Sequence, residues 1–405
     1  MDEGSRRPSE RRHSASPYAF ITGFGLISLL MDIVYEGALA VQGPLLASVG
    51  ASAVVVGVVS GLGEATALGS RAFTGPWADR THRYWMFAIA GYAITAITVP
   101  LMGLVGSVVA VSSLVIVERF GKSLRTPSRD SMLASAASAV GVGRGFAIHE
   151  VIDQIGAVLG PLIVAWVLAV TANDYAPALG ILAVPGVLAL GVLMVLRRRV
   201  PHPEAYESAE PNSRQLRVSL RRSGPFWWYM LFTLVTCSAI ATFGVMSFRM
   251  VSSGVVSDAT VPVLYALAMG IDAVAAMLAG LAYDRFHLRS LYVLPLIAVV
   301  IPFVAYQRAV VPVIAGAVLW GAATGVQEST MRAVIADIAP LGSRASAYGY
   351  FAIALGLGAL AGGSIAGWLS TVSIPALIGF TVGAQAVACC ILVRLNGRTR
   401  IPSAH

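Results

Sequence analysis

The sequence predicts an all-α membrane protein with twelve transmembrane helices in two six-helix bundles, and three observations carry that expectation. The first is composition: of 405 residues, 57% are apolar and only 12% charged, against roughly 45–50% and about 25% in soluble proteins. A soluble chain could not cover that much apolar surface, so the excess has to face lipid. The second is length of run. A helix needs about 20 apolar residues to cross the hydrocarbon core, and such runs fall at 18–40, 51–72, 85–105, 107–124, 146–170 and 176–196, then at 226–248, 260–282, 290–307, 310–330, 345–368 and 373–394. The third is the rhythm of the arginines. They cluster before the first run, at Arg6 to Arg12, and then after every second run, at Arg80 and Arg83, at Lys122 to Arg144, at Arg197 to Arg222, at Arg285 and Arg289, at Arg332 and Arg344, and at Arg394 to Arg400; only Arg249 and Arg308 fall in the alternate loops.

Loop Lys and Arg are retained on the cytoplasmic side during insertion. The net charge of +8 is therefore a topology signal with both termini cytoplasmic, and it does not indicate a nucleic-acid partner. The expected location is the cell (inner) membrane. The first run is too long for a secretory signal and has no small-residue cleavage site after it, so it is expected to stay as a helix. Three cysteines, Cys237, Cys389 and Cys390, lie in apolar runs and assemble neither a disulfide framework nor a zinc cluster.

The longest polar interval, 197–225, separates the two sets of six runs. The expected organisation is a tail at 1–17, bundles at 18–196 and 226–394 joined by that linker, and a tail at 395–405. A repeat supports the division: Gly75, Asp79, Arg80 and His82 recur as Gly280, Asp284, Arg285 and His287, each 205 residues later. Two six-helix halves in parallel repeat are a transporter architecture, with the substrate path between them near mid-membrane.

GPWADRTHRY, after the second run, resembles the loop signature of the major facilitator superfamily, with His82 where a glycine is usual. Asp32-x-x-x-Glu36, Glu64, ERFGKSLRTPSRDSMLA from Glu118 and GRGFAIHEVIDQIGAVLGPL from Gly143 are similar to a bacterial branch of that superfamily with largely unassigned substrates. Within the last of these, GAVLGP resembles the signature associated with exporters, although Val164 and Ala165 stand where a glycine pair is usual. The resemblance implies alternating access, coupling to a proton gradient and efflux of a small organic compound. Import by the same fold, or a transport-inactive membrane sensor or scaffold, is the alternative.

Acids inside the bilayer cost several kcal/mol unless partnered, hydrated or protonated, which makes each one informative. Asp32 and Glu36 are four residues apart and share one helix face, so one proton can be shared between them. With Glu64 in the second run they form the leading candidate for proton coupling, and static pairing with Arg119 or Arg71 is the other reading. Arg119 is a fixed cation that can bias a nearby acid. Asp153 shares a face with Gly156 and Gly160 in the fifth run, and Asp272 and Glu328 are the embedded acids of the second half. Gly75, Asp79, Arg80, Lys122, Arg125, Arg129, Asp130, Gly280, Asp284 and Arg285 are expected to form a cytoplasmic charge network that closes the inner side, with the basic cluster in the loop after the fourth run pairing with Asp79.

Gly121-Lys122-Ser123 is no phosphate loop, because Ile116 occupies the place of the upstream glycine and no strand precedes it. His149 beside Glu150 makes neither a metal nor a nucleophile site. No enzyme, cofactor or metal is expected. The partners are a small-molecule substrate, protons and the lipid bilayer, and the chain is expected to be a monomer.

Overall fold

The computed structural model describes residues 15–206, 224–339 and 344–398. Most of the two tails and of the linker expected from the sequence therefore lies outside the described residues. Within them the chain forms fifteen α-helices: α1 (Pro17–Ser48), α2 (Ala53–Gly69), α3 (Arg71–Thr81), α4 (Tyr84–Met102), α5 (Val108–Ser138), α6 (Val142–Val170), α7 (Tyr175–Gly180), α8 (Ala183–Arg199), α9 (Gly224–Ser238), α10 (Phe243–Ser252), α11 (Thr260–Phe286), α12 (Val293–Ala305), α13 (Val310–Ile338), α14 (Arg344–Val372) and α15 (Ile374–Arg398). Ser16, Ser52 and Ser107 start α1, α2 and α5 by accepting a hydrogen bond from a first-turn N–H, the usual task of an N-cap side chain.

Several expected crossings are broken into two helices. The second consists of α2 and α3, the sixth of α7 and α8, and the seventh of α9 and α10. Ten stretches are long and apolar enough to span a membrane. One of them, Thr260–Ala305, is 46 residues long and contains both α11 and α12. The fourth crossing, α5, is absent from the ten because its charges, Glu118, Arg119, Lys122, Arg125, Arg129 and Asp130, lower its hydropathy. With α5 counted and Thr260–Ala305 divided, the architecture is the twelve-helix membrane fold that the sequence predicts. The number of crossings is even, so residues 17 and 398 emerge on the same side, called here the basic side after its arginines.

One apolar core is built, apart from Ala40, from residues between Phe226 and Leu395, whereas two others use only residues between Phe20 and Val200. Each half thus has its own interior. Lipid offers no hydrophobic drive for joining them, so close packing has to do it. The joints are α2 on α14, α6 on α11 and α1 on α10. At the first, a Cβ on Gly57 would lie 2.1 Å from the Gly363 carbonyl oxygen, so only hydrogen fits. At the third, a Cβ on Gly43 would lie 2.2 Å from the Gly244 carbonyl oxygen. Gly43, Gly57, Gly244 and Gly363 all lie toward the side opposite the basic one, where Tyr175 also donates to Asp258 across the halves. Among the described residues no hydrogen bond or ion pair joins the halves where α3 and α11 end on the basic side.

The internal repeat has a local structural meaning. His82 closes α3 with φ +50° and His287 closes α11 with φ +48°, so both repeat units end in the backbone region that glycine enters at no cost.

Gly57→Ala should force α2 and α14 apart and lower stability by about 1–3 kcal/mol, the usual cost of overpacking. Gly270→Ala in α11, where nothing lies within 4 Å of the built Cβ, is the control. Thermal midpoints of the purified proteins compare the two, and equal midpoints would contradict the close joint.

Candidate functional site

Two helices of the first half supply the site. Along α1, Asp32 and Glu36 are half-buried on one face, and Tyr35 between them is 3% exposed. Along α5, Glu118, Arg119, Lys122 and Arg125 recur at helical spacing, so they turn toward the interior of the bundle. Arg119 is 2% exposed and Arg125 4%. Guanidiniums so placed cannot shed their charge, so the structure must satisfy them.

It does so in a connected set. Arg119 Nη1 lies 3.3 Å from Glu64 Oε1 on α2, and its Nε is 3.8 Å from Glu118 Oε2. Arg125 Nη1 is 3.7 Å from Glu118 Oε1 and donates to Thr95 Oγ1 at 2.5 Å, while Thr95 donates to Glu118 at 3.1 Å. Arg119 also donates to the Tyr35 hydroxyl. The Tyr35 ring gathers three cations: Lys122 Nζ at 3.6 Å from its centroid, Arg119 at 4.7 Å and Arg125 at 5.7 Å. A ring face attracts cations most strongly where water is excluded.

Glu64 is therefore partnered by Arg119, as one of the two sequence readings allowed. Asp32, Glu36, Asp153, Asp272 and Glu328 take part in no ion pair among the described residues. The charges acting on Asp32 are Asp153, Glu36, Lys122 and Arg125, and those acting on Glu36 are Lys122, Glu328 and Glu64. Those acting on Asp272 are Glu328, Glu36, Glu150 and Arg332. Acids from both halves thus meet electrostatically at Glu36, which Lys122, the only lysine among 28 Lys and Arg residues, also faces. A side-chain link between the halves lies here: the Tyr265 hydroxyl of α11 donates to Glu36 Oε2 of α1 at 2.6 Å, and nearby Gln154 of α6 donates to the Met269 carbonyl of α11 at 3.0 Å. Asp153 and Asp272 each keep one buried carboxylate oxygen without a hydrogen-bond partner, and Asp272 is only 6% exposed.

The cytoplasmic network expected from the sequence needs correction. Lys122, Arg125, Arg129 and Asp130 do not lie in a loop, because α5 continues to Ser138. Lys122 and Arg125 point into the bundle at Tyr35 and Glu118. Arg129 pairs with Asp130 at 2.9 Å and reaches Ser28 at 3.4 Å. Asp79 accepts from the Tyr84 hydroxyl at 3.1 Å, and no basic residue of α5 reaches it. The physical cause is helix continuation: the stretch after Pro127 is rich in Ser and Ala and extends α5 beyond the apolar run. Gly75, Asp79 and Arg80 are on α3, Gly280, Asp284 and Arg285 at the end of α11, and these four charged side chains are exposed.

Sequence reasoning passed over Tyr35, Tyr265 and Thr95. Tyr35 is next to Glu36, and Tyr265 is seven residues before Asp272, two helical turns on the same face, so a search for polar aromatics beside embedded acids would have found both. It also counted only His149 and Glu150, whereas Asp153 completes a trio whose ligand atoms lie within 4.8 Å of one another. His149 Nε2 is already engaged by Ser28 Oγ at 2.8 Å.

Arg119→Gln should destabilise the protein by about 3 kcal/mol, because Glu118 loses one of its two cations inside the bundle. Arg119→Lys should not restore the loss, since a point charge cannot serve Glu64, Glu118 and Tyr35 as the fork does. Thermal denaturation of both variants measures this, and a midpoint unchanged in Arg119→Gln would refute a structural part for Arg119.

Comparison with known proteins agrees with this architecture. The family model described as Major Facilitator Superfamily matches residues 22–271 and 255–404. An uncharacterised protein of Mycobacterium tuberculosis is 46% identical over 397 residues, covering 98% of this chain and 97% of its own. An uncharacterised MFS-type transporter of Methanocaldococcus jannaschii is 24% identical over 387 residues, covering 92% and 93%. Among solved structures, a mutant of the nucleoside transporter NupG superposes with a TM-score of 0.75 at 14% identity, covering 92% of this chain and 99% of that one. A bacterial homologue of the human lysosomal transporter Spinster, inward-facing and occupied, gives 0.70 at 15% identity, covering 96% and 100%. At these identities the two structures share the fold alone. A family match over nearly the whole length, on a twelve-helix frame whose halves meet around embedded charges, leads to one conclusion: the chain belongs to the major facilitator superfamily.

Proposed function

We propose that this secondary transporter works by alternating access coupled to protons and exports a small organic compound. The observation that supports coupling most directly is the hydrogen bond from Tyr265 to Glu36 across the two halves. A hydrogen bond to an ionised carboxylate is roughly twice as strong as one between neutral groups. Protonating Glu36 therefore weakens a tie between bundles, and proton occupancy and bundle geometry become one equilibrium. Asp32, one helical turn away, is the natural second carrier, because two nearby carboxylates titrate as a pair. Lys122 is the cation that this cluster requires, and unlike the arginines around it an ammonium can give up a proton at moderate cost.

The direction rests on the resemblance of Gly156–Pro161 to exporter sequences. In support, Gly156 and Gly160 press against α1 beside the acids: their built Cβ atoms would lie 2.3 Å from the Leu29 carbonyl oxygen and 2.4 Å from that of Ile33. Motion of α6 is thereby transmitted to the helix that carries Asp32 and Glu36.

The orientation we propose places the basic side in the cytoplasm. Arg80, Arg83, Arg197, Arg198, Arg199, Arg285 and Arg289 border that side, and only Arg249 and Arg308 border the other. Reporter tags at residue 210 and at the C-terminus should both report the cytoplasm, and a periplasmic signal from either would overturn the orientation.

Coupling is tested in proteoliposomes across a compound panel, with imposed pH gradients and, separately, with substrate exchange. Glu36→Gln should abolish uphill transport while exchange survives. Lys122→Arg keeps the charge but does not titrate, and should shift the pH dependence of transport. Tyr265→Phe should retain transport but reduce the ratio of protons to substrate. A Glu36→Gln protein that still moves substrate uphill would remove Glu36 from the coupling path, and Asp32→Asn shows whether its neighbour carries the proton instead.

A further inference from the structure

On the basic side, where α4 begins and α8 ends, lies a groove of about 550 Å³ lined by Arg83, Trp85, Met86, Ile89, Ala90 and Arg197. Its two parts have opposite chemistry. Arg83, the residue before α4, and Arg197, in the last turn of α8, are both exposed. Neither has an ion-pair partner among the described residues, and no carboxylate lines the groove. Below them, Met86 and Ala90 are exposed and Ile89 half-buried on one face of α4, a strip without hydrogen-bonding side chains that runs into the hydrocarbon depth. Two unpaired guanidiniums above an apolar strip suit a ligand with an anionic head and a hydrocarbon tail.

We propose that this groove is a binding site for an anionic glycerophospholipid, with the phosphate between Arg83 and Arg197 and an acyl chain along Met86, Ile89 and Ala90. A guanidinium grips a phosphate through paired N–H donors, so two of them select phosphate over a neutral surface. A zwitterionic lipid presents its own ammonium beside the phosphate and offsets the gain. Basic pockets between transmembrane helices recognise anionic headgroups for this reason. The site is remote from Glu36 and Lys122 and does not depend on the transport reading.

Trp85 lines the groove and serves as the reporter. The purified full-length protein is reconstituted with phosphatidylglycerol or phosphatidylcholine carrying brominated acyl chains, and the Trp85 contribution is obtained by subtracting a Trp85→Phe protein. Brominated phosphatidylglycerol should quench Trp85 at lower mole fraction than the phosphatidylcholine. The preference should fall roughly fivefold for each arginine removed in Arg83→Gln and Arg197→Gln, as expected for single basic residues at an anionic surface. Arg83→Lys with Arg197→Lys should keep part of it, because the charges remain while the paired donors are lost. Equal quenching by the two lipids overturns the proposal, as does a preference that survives Arg83→Gln with Arg197→Gln. Displacement of the lipid by millimolar glycerol phosphate would also overturn it, because the groove would then hold the anion without the tail. Each single variant is read separately, with monodispersity in phosphatidylcholine as the folding control.

Discussion

A guanidinium held inside a bilayer keeps its charge, so everything around Arg119 has to be arranged to satisfy it. Glu64 comes from α2, Glu118 from the same turn of α5, and the Tyr35 hydroxyl from α1. One cation thereby fixes the rotation of three helices about their own axes. Arg125 repeats the arrangement one layer away through Glu118 and Thr95 of α4. The four helices around this set cannot slide independently, and the first half is expected to move as a rigid body on that account.

That rigidity is what gives the unpaired acids their meaning. Asp32 and Glu36 sit on the same helix as Tyr35, yet Glu36 reaches the other half, where Tyr265 donates to it and Asp272 and Glu328 approach. Charges consumed by structure and charges left over thus lie side by side: Glu64 and Glu118 are paired with Arg119, whereas Asp32, Glu36 and Lys122 take part in no ion pair among the described residues. A buried carboxylate oxygen without a donor, as on Asp272, costs of the order of 1–3 kcal/mol, a cost that a proton, a water or a substrate group would relieve.

The joints between halves follow a different physics. Glycines at Gly57, Gly363, Gly43 and Gly244 bring backbones to distances that no side chain permits, and they lie on the side away from the arginines. Contacts of this kind hold by dispersion and fit rather than by charge, so they can part and re-form as a surface. Tyr175 with Asp258 adds one polar tie at the same end. The halves are therefore closed where packing is tight. The polar tie between Tyr265 and Glu36 lies deeper, at the level of the embedded acids.

Much of this was legible in the sequence because it depends on local periodicity. Hydropathy and the arginine rhythm require a multi-pass helical fold; the 205-residue offset exposes the repeat; and a spacing of four puts Asp32 and Glu36 on one face wherever that helix goes. The length of α5 was not legible, because its charges end the apolar run before the helix ends. Nor was the fate of those charges: a loop network and an interior one use the same residues at the same spacing. The tertiary structure decided that Glu64 belongs to Arg119 and that Glu36 belongs to Tyr265, 229 residues away. Periodicity fixes which residues share a face, but only the packing of helices from both halves determines what that face meets.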